Sequence, residues 1–305
     1  MPRTGRRTRA RLALSALGTV AALTAGVVTP ASAATAAEPR PRAERYVALG
    51  DSFTSGPAIP RQVDSRCGRS SANYPSLVRN ELAYSGFTDV SCGGATTDHM
   101  WKRQGATGNA PQLDALGEDT TLVTVGIGGN DIGFPEVIGR CINPVGPVPR
   151  DNPCQRYFTR NGTDELDQRI NETAPKVAAL LKAVHERARH ARVAVVGYPA
   201  ILGDDIEGCR KSMLVADGDV PYLRGVIRRL NAMLRVQATA RGDLYVNTNA
   251  TTFGHDACQP FEKRYVEGLF TRPWVRPAIA FHPNAAGERA MADAVAYTLV
   301  LGPRR

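Results

Sequence analysis

The stretch Tyr46-Val47-Ala48-Leu49-Gly50-Asp51-Ser52-Phe53-Thr54-Ser55-Gly56 joins a short apolar run to a polar turn. The run stops at Gly50 and is typical of a strand buried inside a parallel sheet. Ser52 follows two residues later, at the end of the strand where open α/β sheets keep their ligand crevice. This position suits a nucleophile, although Asp51 and Ser52 also suit a cap or a turn. The stretch alone leaves both interpretations open.

Four later apolar runs predict further strands, at residues 87–91, 121–126, 193–198 and 244–248. Periodic apolar positions between them predict helices, the longest of which covers residues 163–190. We expect Pro175 to interrupt or restart that helix, because proline removes a backbone donor. Strands that alternate with helices predict a single three-layer α/β/α sandwich on a parallel sheet.

Three other groups follow predicted strands as Ser52 does. Gly94 comes just after the second strand, Asn130 just after the third, and His282 lies in the loop after the last. Because the carboxyl ends of parallel strands lie at one edge of a sheet, the four groups can converge. They would supply a serine nucleophile, a histidine base and donors for a developing oxyanion. Taken singly, Gly94 suits a tight turn and Asn130 a helix cap.

The first 44 residues read as an export signal and its linker. Five arginines precede an uncharged stretch at residues 12–29, and Ala31-Ser32-Ala33 supplies a small-residue cleavage pattern. We expect a secretory signal peptide at residues 1–33, a disordered mature N-terminus at 34–44, and a secreted, extracellular protein. A transmembrane anchor is the alternative. Export by the Sec or the twin-arginine route stays open.

Charge and cysteine content narrow the possible partners. The net charge of +9 falls to about +4 without the five arginines of the signal. The sequence contains no basic stripe interleaved with aromatic residues, so it does not indicate a nucleic-acid-binding protein. Six cysteines in an exported chain predict three disulfides, for which the sequence allows fifteen pairings. Zinc is the competing interpretation, but no two cysteines have Cys-x-x-Cys spacing. We expect no metal, no cofactor and no stable membrane insertion.

The chain resembles secreted actinobacterial esterases and lipases of the SGNH (GDSL) hydrolase family. The matching blocks are Gly50-Asp51-Ser52, Gly94 after Cys92-Gly93, Gly128-Gly129-Asn130-Asp131 and His282-Pro283-Asn284, and the likeness covers residues 45–301. It implies a flavodoxin-like fold with a five-stranded parallel sheet in a domain at residues 45–305.

The resemblance also assigns roles to residues. It implies Ser52 as nucleophile, His282 as base, and Ser52, Gly94 and Asn130 as the oxyanion hole. Cysteines paired in sequence order would give the three disulfides Cys67–Cys92, Cys141–Cys154 and Cys209–Cys258.

Two positions depart from the family pattern. Phe53 replaces a leucine, which we expect to matter little because that residue does not react. Ile279 replaces the aspartate that usually orients the histidine three residues later. We therefore predict a Ser52–His282 dyad in which a backbone carbonyl, that of Ile279, accepts the histidine Nδ1–H. Asp256 is the alternative orienting group.

These observations predict a serine esterase or lipase that hydrolyses carboxylic esters, with a small-molecule or lipid ester as substrate, and that acts as a monomer. A carbohydrate O-deacetylase or a phospholipase would use the same groups. A non-catalytic secreted binding protein is the alternative of another class, since a fold does not dictate a function. We expect His99 and His255 to be ordinary surface or loop residues.

Overall fold

A computed structural model describes residues 44–302 of the chain. The predicted signal peptide and the mature N-terminus, apart from Glu44, lie outside the described residues. The strands are β1 (Arg45–Gly50), β2 (Gln62–Asp64), β3 (Arg69–Ser70), β4 (Gly86–Asp89), β5 (Leu122–Gly126), β6 (Arg192–Val196) and β7 (Leu244–Val246). The helices are α1 (Ser52–Ser55), α2 (Tyr74–Glu81), α3 (Phe134–Cys141), α4 (Pro153–Phe158), α5 (Glu165–Arg187), α6 (Ile206–Met213), α7 (Asp219–Ala240), α8 (Thr248–Thr252) and α9 (Ala285–Leu301). Short 3-10 helices span Thr97–Met100, Gln112–Ala115 and Phe261–Lys263.

Five strands form one parallel sheet in the order β4, β1, β5, β6, β7, and β2 pairs with β3 in a separate antiparallel hairpin. β1 lies between β4 and β5, with Gly50 opposite Gly126 at the carboxyl ends. The order reverses at β1, so the crevice of this doubly wound sheet lies beside the end of β1. This order is flavodoxin-like, which confirms the predicted fold class.

Alternate residues of β1 enter two separate cores. Val47 and Leu49 are buried against the helices α5 and α7 on one face. Tyr46 and Ala48 are buried against α2 and α9 on the other. A strand covered on both faces must be apolar throughout, which is why β1 reads as a continuous run rather than an alternating one.

The structure corrects the prediction for Pro175. Helix α5 runs without interruption from Glu165 to Arg187 with Pro175 inside it. Both Pro175 and Asn171, whose carbonyl loses its partner, are exposed, so that carbonyl can be solvated. The region between Cys141 and Cys154, predicted as a proline-rich loop, contains the start of α4.

Three disulfides hold the loops around this sheet. Cys67 pairs with Cys92, Cys141 with Cys154, and Cys209 with Cys258, which are the pairs that the resemblance implies. Cys92 lies two residues before Gly94, so the first disulfide anchors the turn that carries it. Among residues 44–302, none of the helices has both the length and the apolar character needed to cross a bilayer.

Candidate active site

Ser52 and His282 meet at the carboxyl edge of the sheet although 230 residues separate them. Ser52 opens α1 directly after β1, and His282 lies in the loop before α9. The His282 Nε2 atom is 2.8 Å from the Ser52 Oγ atom. This is hydrogen-bond distance between a hydroxyl and a nitrogen base, so the pair has the geometry of a nucleophile and its general base.

A backbone carbonyl fixes the tautomer of His282. The Nδ1–H donates to the carbonyl oxygen of Ala280 at 2.9 Å. The prediction of Ile279 was wrong by one residue, because the Ile279 carbonyl accepts the backbone N–H of His282 itself. A carbonyl can only accept, so the proton stays on Nδ1 and the Nε2 lone pair faces Ser52. Asp256 makes no bond to His282; its carboxylate accepts the Cys258 N–H.

The loop that presents His282 is held by backbone pairing. The Phe281 N–H donates to the Glu267 carbonyl, and the Glu267 N–H donates to the His282 carbonyl, both at 3.0 Å. Phe281 adopts a φ of 65°, which is uncommon for a residue with a Cβ. Such strain beside the imidazole shows that the surrounding contacts determine its position.

The imidazole is buried and flanked by aromatic rings. His282 is 8% exposed, and burial lowers its pKa to about 4 against the smaller raising effect of the Ala280 hydrogen bond. Phe53 stacks on it with ring centroids 4.7 Å apart, and Phe134 stands edge-on at 6.1 Å. Contrary to expectation, the phenylalanine at position 53 is part of the site, because its ring contacts the imidazole directly.

Close packing at the end of β1 positions Ser52. A Cβ on Gly50 would lie 2.2 Å from the Thr54 Oγ1 atom, so only glycine lets α1 begin this close to the strand. The Gln112 side chain pairs with both the N–H and the carbonyl of Gly50, and the Asp51 N–H donates to Gly126. These bonds continue the sheet to the residue before the serine.

Asp51 and Tyr198 form a buried hydrogen-bonded pair beside Ser52. The Tyr198 hydroxyl donates to the Asp51 Oδ2 atom at 2.5 Å and accepts the Gly129 N–H at 2.6 Å. The Asp51 Oδ1 atom accepts the Phe53 N–H. Burial raises the pKa of Asp51 to about 7, opposed by these hydrogen bonds. The pair ties the serine turn to the turn before Asn130.

Sequence reasoning missed Tyr198. The feature that could have identified it is a hydroxyl group at the end of an otherwise apolar predicted strand, at the same sheet edge as Ser52 and Asn130. The apolar run at residues 193–198 predicts a buried strand, and nothing in it indicates Asp51 as the partner of Tyr198.

Three candidate N–H donors, those of Ser52, Gly94 and Asn130, follow the adjacent strands β1, β4 and β5 at the same edge of the sheet. Within the described chain, neither the Ser52 N–H nor the Gly94 N–H donates to another protein group. Gly94 has a φ of 74°, the left-handed conformation that favours glycine. The Asn130 amide donates one of its two hydrogens to the Ala95 carbonyl at 2.9 Å, which leaves the other for a ligand.

Asp131 holds the Gly94 and Asn130 turns together. Its carboxylate accepts the Thr97 N–H at 3.0 Å and the Thr97 Oγ1–H at 2.5 Å. With the bond from Asn130 to Ala95, this crosslinks the two turns that carry the candidate oxyanion donors. Asp131 therefore positions both turns, a role that its place in the sequence does not indicate.

A narrow apolar slot with a cavity volume of about 50 Å³, partly open to solvent, begins at Phe134, whose ring stands edge-on to the imidazole. Phe134 and Phe281 form its end nearest His282. The slot continues between α3 and α7 and is lined by aliphatic side chains that include Ile138, Leu223 and Ile227. Its surface is almost entirely carbon, so it suits an apolar group rather than a polar one.

The other candidate histidines lie in structural roles. The His99 Nδ1 atom accepts the Thr96 N–H, and the His255 ring stacks on Tyr265 and bonds to the Lys263 carbonyl. Among residues 44–302, His, Cys, Asp and Glu side chains form no cluster of three or more that could hold a metal.

The fold and the paired Ser52 and His282 place the chain in the SGNH class of hydrolases. The crystal structure of phospholipase A1 from Streptomyces albidoflavus NA297 matches it with a TM-score of 0.63 and 24% identity, covering 84% of this chain and 99% of that one. The extracellular lipase of Streptomyces rimosus matches with a TM-score of 0.60 and 24% identity, covering 84% and 100%. These likenesses establish the fold.

Sequence comparison identifies the family. The family described as GDSL-like Lipase/Acylhydrolase matches residues 48–290. Lipase 2 of Streptomyces coelicolor is 37% identical over 96% of this chain and 97% of its own length, and an esterase of Streptomyces scabiei is 32% identical over 94% and 93%. The chain belongs to the GDSL-like lipase/acylhydrolase family and is a carboxylic ester hydrolase.

Proposed function

We propose that the protein hydrolyses acyl esters through a covalent acyl-enzyme on Ser52, with His282 as the only side-chain base. The observation that carries the proposal is the 2.8 Å contact between the His282 Nε2 and Ser52 Oγ atoms. A serine hydroxyl is a weak nucleophile by itself and needs such a base within reach.

The first half of the reaction forms the acyl-enzyme. The Ser52 Oγ atom attacks the ester carbonyl carbon as its proton passes to the His282 Nε2 atom. The tetrahedral intermediate collapses by breaking the bond to the alcohol oxygen, and the leaving alcohol takes the proton from Nε2. The second half repeats these steps with water as the nucleophile and Ser52 as the leaving group, which releases the carboxylic acid.

Charge on the intermediate is stabilised by the Ser52 N–H, the Gly94 N–H and the second N–H of Asn130. A preorganised donor of this kind is worth about 3 to 4 kcal/mol in the transition state. The imidazolium formed alongside has the Ala280 carbonyl and the face of Phe53 as neighbours. The ring face supplies about 0.5–2 kcal/mol through a cation–π interaction, in place of part of what a carboxylate would contribute.

The apolar slot favours a fatty acyl chain over an acetylated sugar. Carbohydrate sites need amides and carboxylates that bond to hydroxyls, whereas the residues lining this slot are almost all hydrocarbon. We therefore place the acyl chain of the substrate between α3 and α7, with its carbonyl at the oxyanion donors.

We also propose that the mature protein is exported and acts outside the cell as a monomer. Three disulfides in residues 44–302 support export, because structural disulfides persist in oxidising compartments. Mass spectrometry of the secreted protein would locate the cleavage site, expected after Ala33.

A fluorophosphonate probe tests the nucleophile. It should label the wild-type protein and fail to label Ser52→Ala, and a Ser55→Ala variant on the same short helix should label normally. Equal labelling of Ser52→Ala and wild type would exclude Ser52 as the nucleophile. No labelling of the folded wild type would favour a binding protein.

A series of p-nitrophenyl esters of increasing chain length tests the slot. We expect kcat/KM to rise from acetyl to longer chains. Ile138→Trp should shift the optimum to shorter chains by filling the slot, while Val236→Trp, on the exposed side of α7, should not. An optimum at acetyl in the wild type would favour a deacetylase.

A further inference from the structure

We infer that the loop before His282 is a docking surface for the anionic surface of a lipid bilayer. The loop, residues 270–279, has the sequence Phe-Thr-Arg-Pro-Trp-Val-Arg-Pro-Ala-Ile, and we call it the Trp274 turn. It ends immediately before Ala280, whose carbonyl orients His282. The inference rests on the proposed function only for its link to catalysis, because docking itself can be measured without turnover.

The Trp274 turn exposes an unusual amount of apolar surface. Trp274 is 85% exposed, Val275 64%, Phe270 60% and Ile279 39%. Single exposed apolar residues are normal on soluble proteins, but four on one ten-residue loop suggest a surface that something covers. Tryptophan is also the side chain most enriched where a bilayer meets water.

The apex of the turn is fixed rather than left loose. The N–H groups of Val275 and Arg276 both donate to the Arg272 carbonyl, at 2.9 and 2.8 Å, and close a tight turn. Trp274 and Val275 lie inside it. The side chains of Arg272 and Arg276 both pack on the ring of Phe261, 4.5 and 4.4 Å from its centroid. Because these bonds already order the turn, binding through its apolar apex would not carry the entropic cost of ordering a loop.

Anchoring of Arg276 strengthens this arrangement. Its Nη1 atom donates to the carbonyls of Phe261 and Arg264 and lies 3.5 Å from the buried Glu267 carboxylate. Glu267 in turn accepts the Asn284 amide and pairs through its backbone with His282. The base of the turn thus belongs to the same bonded unit as the loop that carries the imidazole.

Charge favours an anionic bilayer over other apolar partners. The Trp274 turn contains two arginines and no acidic residue. Arg276 is engaged with Glu267, whereas Arg272 is exposed beside the apex. Neighbouring charges largely offset each other: exposed Lys263 lies beside Glu262, and in the groove next to Phe270 and Arg272 Lys211 pairs with Glu207 and Arg264 accompanies Asp205. A cation beside exposed tryptophan and valine matches a layer of anionic headgroups over hydrocarbon. A self-associating face would bring Arg272 of two copies together, which is unfavourable.

Vesicle binding by the inactive Ser52→Ala protein tests the inference. Sedimentation with ether-linked phosphatidylcholine vesicles, with and without ether-linked phosphatidylglycerol, excludes any effect of hydrolysis. We expect binding that phosphatidylglycerol strengthens and salt weakens. Adding Trp274→Ala should reduce the partition coefficient about tenfold or more, and adding Arg272→Gln should reduce it about fivefold on anionic vesicles only.

Matched variants report on the position of the contact. Tyr297→Ala removes a 68% exposed aromatic side chain from α9 and should leave binding unchanged. The chain has two tryptophans, so Trp101→Phe leaves Trp274 as the only indole. Its emission should shift to shorter wavelength on anionic vesicles, and that of the reciprocal Trp274→Phe variant should not.

Failure of docking and failure of the proposed function give different results. Trp274→Ala should hydrolyse a soluble short-chain p-nitrophenyl ester at the wild-type rate but hydrolyse vesicle lipid poorly. Vesicle binding that is equal with and without Trp274 would overturn the inference. So would a dimer in light scattering that Trp274→Ala dissociates without any vesicle binding. A wild type that binds vesicles but hydrolyses no ester would leave docking intact and reject the proposed function.

Discussion

The low pKa of His282 predicts an enzyme that keeps its activity in acid. A general base must be neutral to work, and burial lowers the pKa of this imidazole to about 4. At pH 5.5 a histidine with an ordinary pKa of about 6.5 would be neutral in only about 9% of molecules, whereas His282 would be neutral in about 97%. The structure therefore predicts roughly tenfold more active enzyme at that pH than an exposed dyad would give.

The assay is kcat/KM for a soluble ester between about pH 3.5 and 8, because this ratio reports ionisation in the free enzyme. Asp51 is the group that could be mistaken for His282, since its pKa is raised to about 7 beside Ser52. Asp51→Asn removes that titration and should leave an acid limb with its midpoint near 4. A midpoint at 6.5 or above in both proteins would refute the argument from burial.

The pH dependence of the free energy of unfolding cannot replace this assay, because His282 and Asp51 change that free energy in opposite directions. The imidazole of His282 binds a proton more tightly in the unfolded chain than in the folded protein. Its contribution to the free energy of unfolding is therefore fully present above about pH 6.5 and falls by about 3 kcal/mol as the pH drops to 4. Asp51 has a raised pKa, so its contribution is complete below about pH 3.8 and falls by about 4 kcal/mol as the pH rises through 7. The two effects largely cancel in the whole protein.

Three further changes test other parts of the site and the fold. Asn130→Ala should lower kcat about 100- to 1,000-fold with little change in KM, and an unaltered kcat for a p-nitrophenyl ester would remove Asn130 from the oxyanion hole. Phe53→Leu should lower kcat/KM about three- to tenfold by removing the stacked ring from His282 and should move the acid limb upward; a pH profile identical to that of the wild type would contradict a role for the stack. Replacing Cys209 and Cys258 by serine opens a loop of 49 residues and should reduce the free energy of unfolding by about 4 kcal/mol in guanidinium denaturation; a loss below about 1 kcal/mol would mean that other contacts constrain this loop.

The sequence predicted the elements that carry the site because each follows one local rule. An apolar run ends, and a glycine or a polar residue follows at the carboxyl edge of a parallel strand. Ser52, Gly94 and Asn130 all obey this rule. His282 is a candidate because it lies in the loop after the last predicted strand, and in the structure its Nε2 atom contacts the Ser52 hydroxyl.

Contacts that depend on tertiary geometry were not predictable in the same way. The acceptor for the His282 Nδ1–H is the Ala280 carbonyl rather than that of Ile279, because the left-handed conformation of Phe281 turns the chain there. A carbonyl has no signature in the sequence. Tyr198 reaches Asp51 only because of the strand order β1, β5, β6, which brings together residues 147 apart.

The main-chain acceptor for His282 has a consequence for mutational studies. In a protein where a carboxylate orients the imidazole, replacing that one side chain reveals its contribution. Any amino acid at position 280 that keeps the loop shape supplies the same carbonyl. A saturation library is therefore expected to reveal the side chains proposed to act, such as Ser52, His282 and Asn130, but not the group that orients His282. The orienting bond is consequently protected from point mutation, and the gene can vary at that codon without losing it.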